Sequence, residues 1–351
     1  LGNAAETHEA LLRGERALAL KPVYGSSGGD PVPLALLPGR SLDETSPPSW
    51  MPAVKRLMRE CPDAPWGGAR HPVFVTSSNF GVGNLFSFRR AGTLSHLDFG
   101  TPEACVAFIA GELGWGGNVT ILSHACVSAN LGLVLAARQI ALEIADEALV
   151  FSFDFLSPFV AGGFHALKIL NSEAPAPYQA RDFGSIGLGD GAAFAVLRKP
   201  GPGWIIASQT MYNEMHHFTA FPSDGAGFAA CIEPLVRVAS GRRLWIKGHG
   251  TGTLEAGRLE AEAFGRACPA SPLVGWKGSL GHTLGSSGLV ELAVALESLR
   301  SGRIPGTVGS EAPTFSEKVS LGPIFDSSFD GVVCASNAFG GAHAALLLCH
   351  A

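Results

Sequence analysis

The chain has 351 residues, 46% of them hydrophobic and 16% charged, with a formal net charge of −5 and 45 glycines. This profile excludes disordered and fibrous classes and suits a well-buried α/β core with many tight turns. The acidic balance argues against a general affinity for nucleic acid or an anionic membrane surface.

The length admits one large core or two fused core units. Seven cysteines, at 61, 105, 126, 231, 268, 334 and 349, are odd in number and irregular in spacing, with no C-x-x-C pair. They point to a reducing, cytoplasmic compartment and to no structural metal. No apolar run reaches the roughly 18 residues of a spanning helix, and no signal peptide is read. The opening "LGNAAETHEALLRGERAL" already reads as a helix. The true start is therefore expected to lie ahead of this numbering.

Along the chain, Tyr24 to Trp50 is rich in Gly, Pro and Ser and reads as an irregular surface excursion. "PVFVTSS" (72–78) predicts a buried strand. "TPEACVAFIAGELG" predicts a helix with Thr-Pro at its start. "NVTIL" (118–122), "EALVFSFDF" (147–155) and "GDGAAFAVLRK" (189–199) predict further strands. Continuous apolar strands separated by helices imply a sheet covered on both faces. The later half repeats the plan: "RLWIKGHGTGTLEAGRLEAEAFGRA" is strand, glycine loop, helix, and "GWKGSLGHTLGSSGLVELAVALESLRSG" is a glycine loop feeding a long helix. "GVVCASNAFGGAHAALLLC" predicts two strands joined by a glycine turn. A boundary at "KPGPG" (199–203) divides the chain into units 1–200 and 201–351 of similar grammar.

Cys126 sits in "ILSHACVSANLGLVLAARQIAL", between a strand-like run and a helical one. Such a junction exposes a side chain, and the helix N-terminus stabilises a thiolate and a nearby oxyanion. Leu131, Val134 and Leu135 supply apolar helical spacing behind it, and Ala136 and Ala137 allow close packing. A buried structural thiol is the commoner fate of a free cysteine. Two histidines shift the balance. His249 lies in "GHGTGT" after an apolar run, and His282 in "KGSLGHTLGSSG" before a long helix. Glycine loops at strand ends and helix starts bring side chains into clefts. A helix N-terminus disfavours imidazolium, so His282 is expected to be neutral and to donate one hydrogen bond.

Rival motifs are weaker. "GHGTGT" half-matches a dinucleotide loop, but Thr253 stands where the third glycine belongs. There is no phosphate-binding G-x-x-x-x-G-K-[ST]. His216 and His217 have no acidic or thiol ligand set nearby in sequence, so a metal site is not read.

Taken together, "ACVSANLGLVLAA" around Cys126, "HGTGT" from His249, "KGSLGHTLGSSG" from Lys277 and "FGGAH" from Phe339 resemble the β-ketoacyl synthases, the condensing enzymes of fatty-acid and polyketide assembly. "RDFGSIGLGDGAAFAVL" and "HHFTAFPSDGAG" fit the same family, and the resemblance covers nearly the whole chain. It implies a thiolase-like α/β fold, two similar halves in αβαβα layers, with the cysteine in the first half and both histidines in the second. It implies that Cys126 accepts an acyl chain as a thioester. His249 and His282 would stabilise the enolate left by decarboxylation of malonyl-acyl carrier protein. The backbone N–H groups of Cys126 and Phe339 would form an oxyanion hole, and Phe339 would gate the site. Lys277 and Glu260 would form a supporting ion pair near His282. Thr251 and Thr253 would hold the phosphopantetheine arm of the carrier protein. No cofactor of the chain's own is implied. The partners implied are acyl carrier protein and a second synthase-like subunit, in a homodimer or heterodimer.

The chain departs from the family's pattern in places. It is short. The usual acidic residue eight positions after the first histidine is Gly257, the family's Gly-Glu-Gly is "GDG" with Asp190, and the Asn closing the Phe-Gly-Gly motif is His343. Few basic residues remain near a carrier-docking helix, chiefly Lys55, Arg56 and Arg59. An active synthase is the leading reading. A partner subunit similar to chain-length factors is the alternative; those usually lose the cysteine. A thiolase-type enzyme is disfavoured, because no second cysteine lies near the C-terminal glycine motif.

Overall fold

The computed structural model describes residues 2–351. Helix α1 (Ala4–Leu12) is started by Asn3, whose side chain accepts from the Glu6 N–H while Glu6 reaches back to Asn3, a reciprocal cap. Strands β1 (Ala19–Pro22) and β2 (Pro31–Ala35) form an antiparallel pair, and helix α2 spans Pro47–Met58. The 24–50 segment is thus only partly irregular. Val32 and Leu34 of β2 are fully buried, so the glycines and prolines frame a strand rather than replace it.

Next come β3 (Val73–Thr76), α3 (Val82–Ala91), α4 (Pro102–Leu113), β4 (Val119–Leu122), α5 (Ser128–Ala141), β5 (Glu147–Asp154), α6 (Pro158–Ala166), β6 (Leu188–Gly189) and β7 (Gly191–Arg198). The Thr-Pro start of α4 behaves as read: Thr101 accepts from the Ala104 N–H at 3.2 Å. The order β4-β3-β5-β7 makes one sheet, parallel except for the antiparallel β5/β7 pair.

After residue 203 follow β8 (Trp204–Asn213), α7 (Ala226–Val238), β9 (Leu244–Lys247), α8 (Leu254–Ala267), β10 (Leu273–Val274), the short α9 (Lys277–Leu280), α10 (Ser287–Ser301), a small ribbon of β11 (Arg303–Ile304) and β12 (Ile324–Phe325), β13 (Gly331–Ala338) and β14 (Ala342–His350). The second sheet runs β10-β9-β13-β14-β8.

Helices α5 and α10 lie between the two sheets. Helix α5 packs on β5 and reaches β14, while α10 packs on both β13 and β7. Helices α2 and α4 cover the outer face of the first sheet, and α7 and α8 that of the second. This is the αβαβα layering that the resemblance implies. The central layer holds the largest core, including Leu133, Trp245, Trp276 and Leu289. Each such side chain contributes roughly 1.5–3 kcal/mol on burial. The buried stripe of α5 is Ala129, Leu133, Ala136 and Ile140. The expected stripe of Leu131, Val134 and Leu135 is therefore rotated, because small residues let the helix lie against sheet on one side and α10 on the other.

The N-terminal helix crosses between the units. His8 meets the Arg303 carbonyl at 2.7 Å, and Arg16 donates to the Gly278 carbonyl at 3.0 Å. The Asp190 side chain is shielded from solvent and receives two bonds from Arg40, at 2.8 and 2.9 Å, and backbone N–H bonds from Leu37 and Leu156. It ties the β2–α2 loop to the entry of β7. No helix of the described residues is long and apolar enough to cross a membrane.

Candidate active site

Cys126 stands in the turn from β4 into α5. Ala125 just before it has φ +46°, a left-handed conformation costly for a residue with a Cβ. Ser128 holds that turn: its Oγ accepts from the His124 N–H at 2.7 Å and donates to the Ala125 carbonyl at 2.7 Å. The junction expected from sequence is therefore a tight, braced elbow. Burial pushes the Cys126 thiol up to about 12, with the Lys277 charge opposing. The resting group is a thiol, not the thiolate that the helix start alone suggests.

His249 follows β9 and His282 follows α9. Their rings meet edge-to-face, with centroids 4.9 Å apart at 89°. Burial, then the charge of Lys277, holds both well below the ordinary histidine range, so both are neutral at physiological pH. For His282 burial dominates, ahead of any helix end. Its tautomer is fixed by geometry. The Leu284 backbone N–H donates to Nδ1 at 3.2 Å, and Ser287 Oγ lies 2.9 Å from the same nitrogen. A backbone N–H can only donate, so Nδ1 is bare and Nε2 carries the proton. Nε2 is buried with no protein partner among the described residues. An unspent donor in a buried pocket is what a developing oxyanion needs.

Cys126, His249 and His282 line one cavity of about 340 Å³, together with Thr251, Thr253, Glu260 and Phe339. Its apolar wall includes Phe164, Ile169, Ile186, Phe221 and Phe228. Thr253 is the N-cap residue of α8, yet its hydroxyl lies 2.9 Å from that of Thr251 instead of capping the helix. Phe339 is 38% exposed and stacks on Phe164 with centroids 6.1 Å apart.

Lys277 does not line the cavity and does not pair with Glu260. Its Nζ bonds Glu291 of α10 at 2.6 Å, and Lys247 holds the other oxygen of that carboxylate. All three are buried. Glu260 instead accepts from the N–H groups of His249 and Gly250 at 2.6 and 2.9 Å, the Tyr178 hydroxyl at 2.9 Å and Asn337 Nδ2 at 3.1 Å. The reason is packing: α8 turns Glu260 under the glycine loop, while α10 presents Glu291 to both lysines. Glu260 thus cradles the backbone that carries His249. Glu291, Lys247, Tyr178, Asn337 and Ser128 are contributions that the motifs did not single out. Of these, Asn337 carried a signal, being the polar residue beside the Phe-Gly-Gly turn.

The chain is 30% identical over 278 residues to 3-oxoacyl-[acyl-carrier-protein] synthase 2 of Vibrio cholerae, an alignment that covers 71% of this chain and 67% of that one. It belongs to the β-ketoacyl synthase family. Residues 203–311 match the family model for the β-ketoacyl synthase C-terminal domain. The tetracenomycin polyketide synthase ketoacyl synthase alpha subunit of Streptomyces glaucescens is 27% identical over 276 residues, covering 72% of this chain and 65% of that one. The fold is thiolase-like, as in the solved ketosynthases. A structure of a ketosynthase in complex with its chain length factor, from Xenorhabdus doucetiae, superposes with a TM-score of 0.76 at 21% identity, over 99% of this chain and 94% of that one.

Proposed function

We propose that this β-ketoacyl synthase relative condenses an acyl thioester with malonyl-acyl carrier protein, releasing carbon dioxide and a 3-oxoacyl product. One observation carries the reading: Cys126, His249 and His282 line a single cavity, and the buried Nε2–H of His282 has no protein partner. In the first step Cys126 sulfur bonds the acyl carbonyl carbon, the carrier thiol leaves, and the thiol proton passes to it. In the second, the bond from malonyl carbon to carboxylate breaks. The electron pair moves into an enolate whose oxygen receives hydrogen bonds from His249 and His282. The enolate carbon then attacks the acyl carbonyl, and the bond to Cys126 sulfur breaks. Backbone N–H groups of Cys126 and Phe339 are assigned to the oxyanion of the acyl transfers.

Thr251 and Thr253, with adjacent hydroxyls at the cavity wall, are assigned to the phosphopantetheine arm, and exposed Phe339 to gating. Lys277 acts through the field it places on both histidines, and Glu260 through the His249 backbone. The front unit, 1–200, supplies the nucleophile and the rear unit, 201–351, both imidazoles. Carrier docking on α2 is left with Arg56 and Arg59, because Lys55 is engaged with Glu112 at 2.5 Å. A cytoplasmic setting accords with seven free cysteines. An edge strand β4 whose four residues are all partly exposed supports a dimer with a like subunit.

The test is intact mass after incubation with an acyl-carrier thioester: one acyl adduct, mapped to Cys126, and none on Cys126→Ala. A protein that stays unmodified defeats the reading. The second reading is a partner subunit resembling a chain-length factor. Gly257 and His343 favour it, because both stand where the family's pattern has other residues. A chain that is monomeric alone and gains activity only with a second synthase subunit would establish it.

A further inference from the structure

Lys247 ends β9, separated from His249 only by Gly248. The other residues of β9, Leu244, Trp245 and Ile246, are buried and apolar, and Lys247 is buried with them at 1% exposure. Its Nζ reaches the central helix α10, where it donates to Glu291, and also donates to the Ala335 carbonyl of β13 at 3.0 Å. An apolar side chain would complete this strand with no charge to bury. A buried ammonium is tolerated only when it is paired and hydrogen-bonded.

The other oxygen of Glu291 accepts from Lys277 at 2.6 Å. Lys277 opens α9, in the segment that runs into His282. Each histidine therefore has a buried lysine just ahead of it in the chain, and the two lysines meet on one carboxylate. That carboxylate lies on α10, one turn beyond Ser287, whose Oγ is 2.9 Å from His282 Nδ1. The rings themselves touch edge-to-face, with centroids 4.9 Å apart, and share no hydrogen bond among the described residues. Such a contact resists approach of the rings but does little to resist their separation. Two donors serve one oxygen only when both lie about 2.7–3.1 Å from it, so the separation matters to the chemistry.

We propose that Lys247 is a positioning residue: through Glu291 it clips the loop that carries His249 to the loop that carries His282, and so fixes the spacing of the two imidazoles. The link to rate rests on the condensing-enzyme reading, while the clip itself rests on the bonds to Glu291. Removing Lys247 is gentler than removing Glu291. Lys247→Met keeps most of the side chain's length and leaves Glu291 paired one-to-one with Lys277, so no buried charge is orphaned. The variant should fold, with a cooperative urea transition.

The experiment uses the full chain and two readouts. The first is backbone hydrogen exchange followed by mass spectrometry. In Lys247→Met, exchange should quicken in 248–253 and also in 281–287, a segment the substitution does not touch. Lys277→Met should act in the opposite direction, quickening 248–253 as well as its own segment. The clip is overturned if each variant loosens only its own loop. The second is malonyl decarboxylation. Lys247→Met should lower kcat by about ten- to a hundredfold with KM unchanged, since a misplacement on the order of 1 Å can cost the larger factor. In a His249→Ala background the same substitution should cost less than about twofold, because a single remaining donor has no spacing to keep. The positioning role is overturned if kcat stays at the wild-type value. It is also overturned if the loss is as large without the His249 ring, as it would be for a merely structural residue. A wild type that never decarboxylates defeats the condensing reading and the positioning role resting on it, while hydrogen exchange still decides the clip.

Discussion

His282 keeps its ring proton on Nε2 because the Leu284 N–H occupies Nδ1, 3.2 Å away. The unpartnered donor is thus set before substrate arrives, with no change of tautomer left for the reaction. His282→Ala removes it. Malonyl decarboxylation should fall by a factor on the order of 10²–10³, the usual cost of one oxyanion donor. His282→Gln can place an amide N–H near the Nε2 position and should keep more rate than alanine. Carbon dioxide release from malonyl-carrier thioester measures both, and equal loss in the two variants would mean that the donor is not the function of this residue.

Cys126 supplies a pH dependence whose sign is fixed by burial. Its thiol is raised from the usual 9.0 to about 12, so the reactive thiolate is scarce at neutral pH. Iodoacetamide labelling of Cys126 in the native protein should be slow at pH 7 and climb about tenfold per pH unit beyond pH 9. A thiol at its ordinary value would instead level off there. Peptide mass mapping separates Cys126 from the other six cysteines. A plateau below pH 8 would show a thiolate stabilised in the resting protein. Activation then would not depend on an arriving thioester to exclude water and complete the oxyanion site.

Glu291 neutralises two buried ammonium groups, Lys247 and Lys277. Removing one member of a buried ionic cluster is costlier than never having built it. Glu291→Ala should lose about 3–5 kcal/mol of stability at pH 7, measured by urea unfolding. The pH dependence follows from Lys277, which burial lowers to about 8 despite its partner. Between that value and 10.5 the unfolded chain binds more protons than the folded one, so stability rises with pH across the window. Without Glu291 the folded value drops further and the window widens downward. The variant should therefore recover more stability than wild type between pH 7 and pH 9.

Much of this site was legible in the sequence because the three side chains proposed to react sit where backbone chemistry puts them. Cys126 sits in a turn between a strand and a helix, and His249 and His282 sit on glycine loops whose close packing leaves little room for a Cβ: at Gly248 it would meet Tyr178 and at Gly281 the Leu188 backbone. The partner of Lys277 was not legible. Glu260 and Glu291 both lie on helices that follow glycine loops, and only the packing of α8 and α10 decides which carboxylate meets the ammonium. Tyr178 gave no local signal: it lies outside any helix or strand, at φ +62°, and reaches Glu260 through tertiary packing alone. The buried strand β2 was missed because its prolines and flanking glycines mimic a loop.

Gly257 stands where the family resemblance leads one to expect an acidic residue, and the space beside it can be tested. It lies in α8, lines the cavity and has helical backbone angles. A Cβ built there meets nothing closer than 3.8 Å, the Tyr178 backbone nitrogen. Gly257→Ala should therefore stabilise the protein by roughly 0.5–1 kcal/mol, the helix-interior difference between the two residues. It should leave Cys126 acylation within about twofold of wild type, since a twofold rate change is under 0.5 kcal/mol. Gly257→Asp is the informative contrast. It adds a carboxylate inside a cavity where burial already holds both histidines neutral. The new charge should raise His249 toward the ordinary histidine range and shift the acid side of the decarboxylation profile upward. An unchanged acid limb in Gly257→Asp, with acylation intact, would show that the new carboxylate points away from the imidazoles and that the lost acidic residue never tuned them.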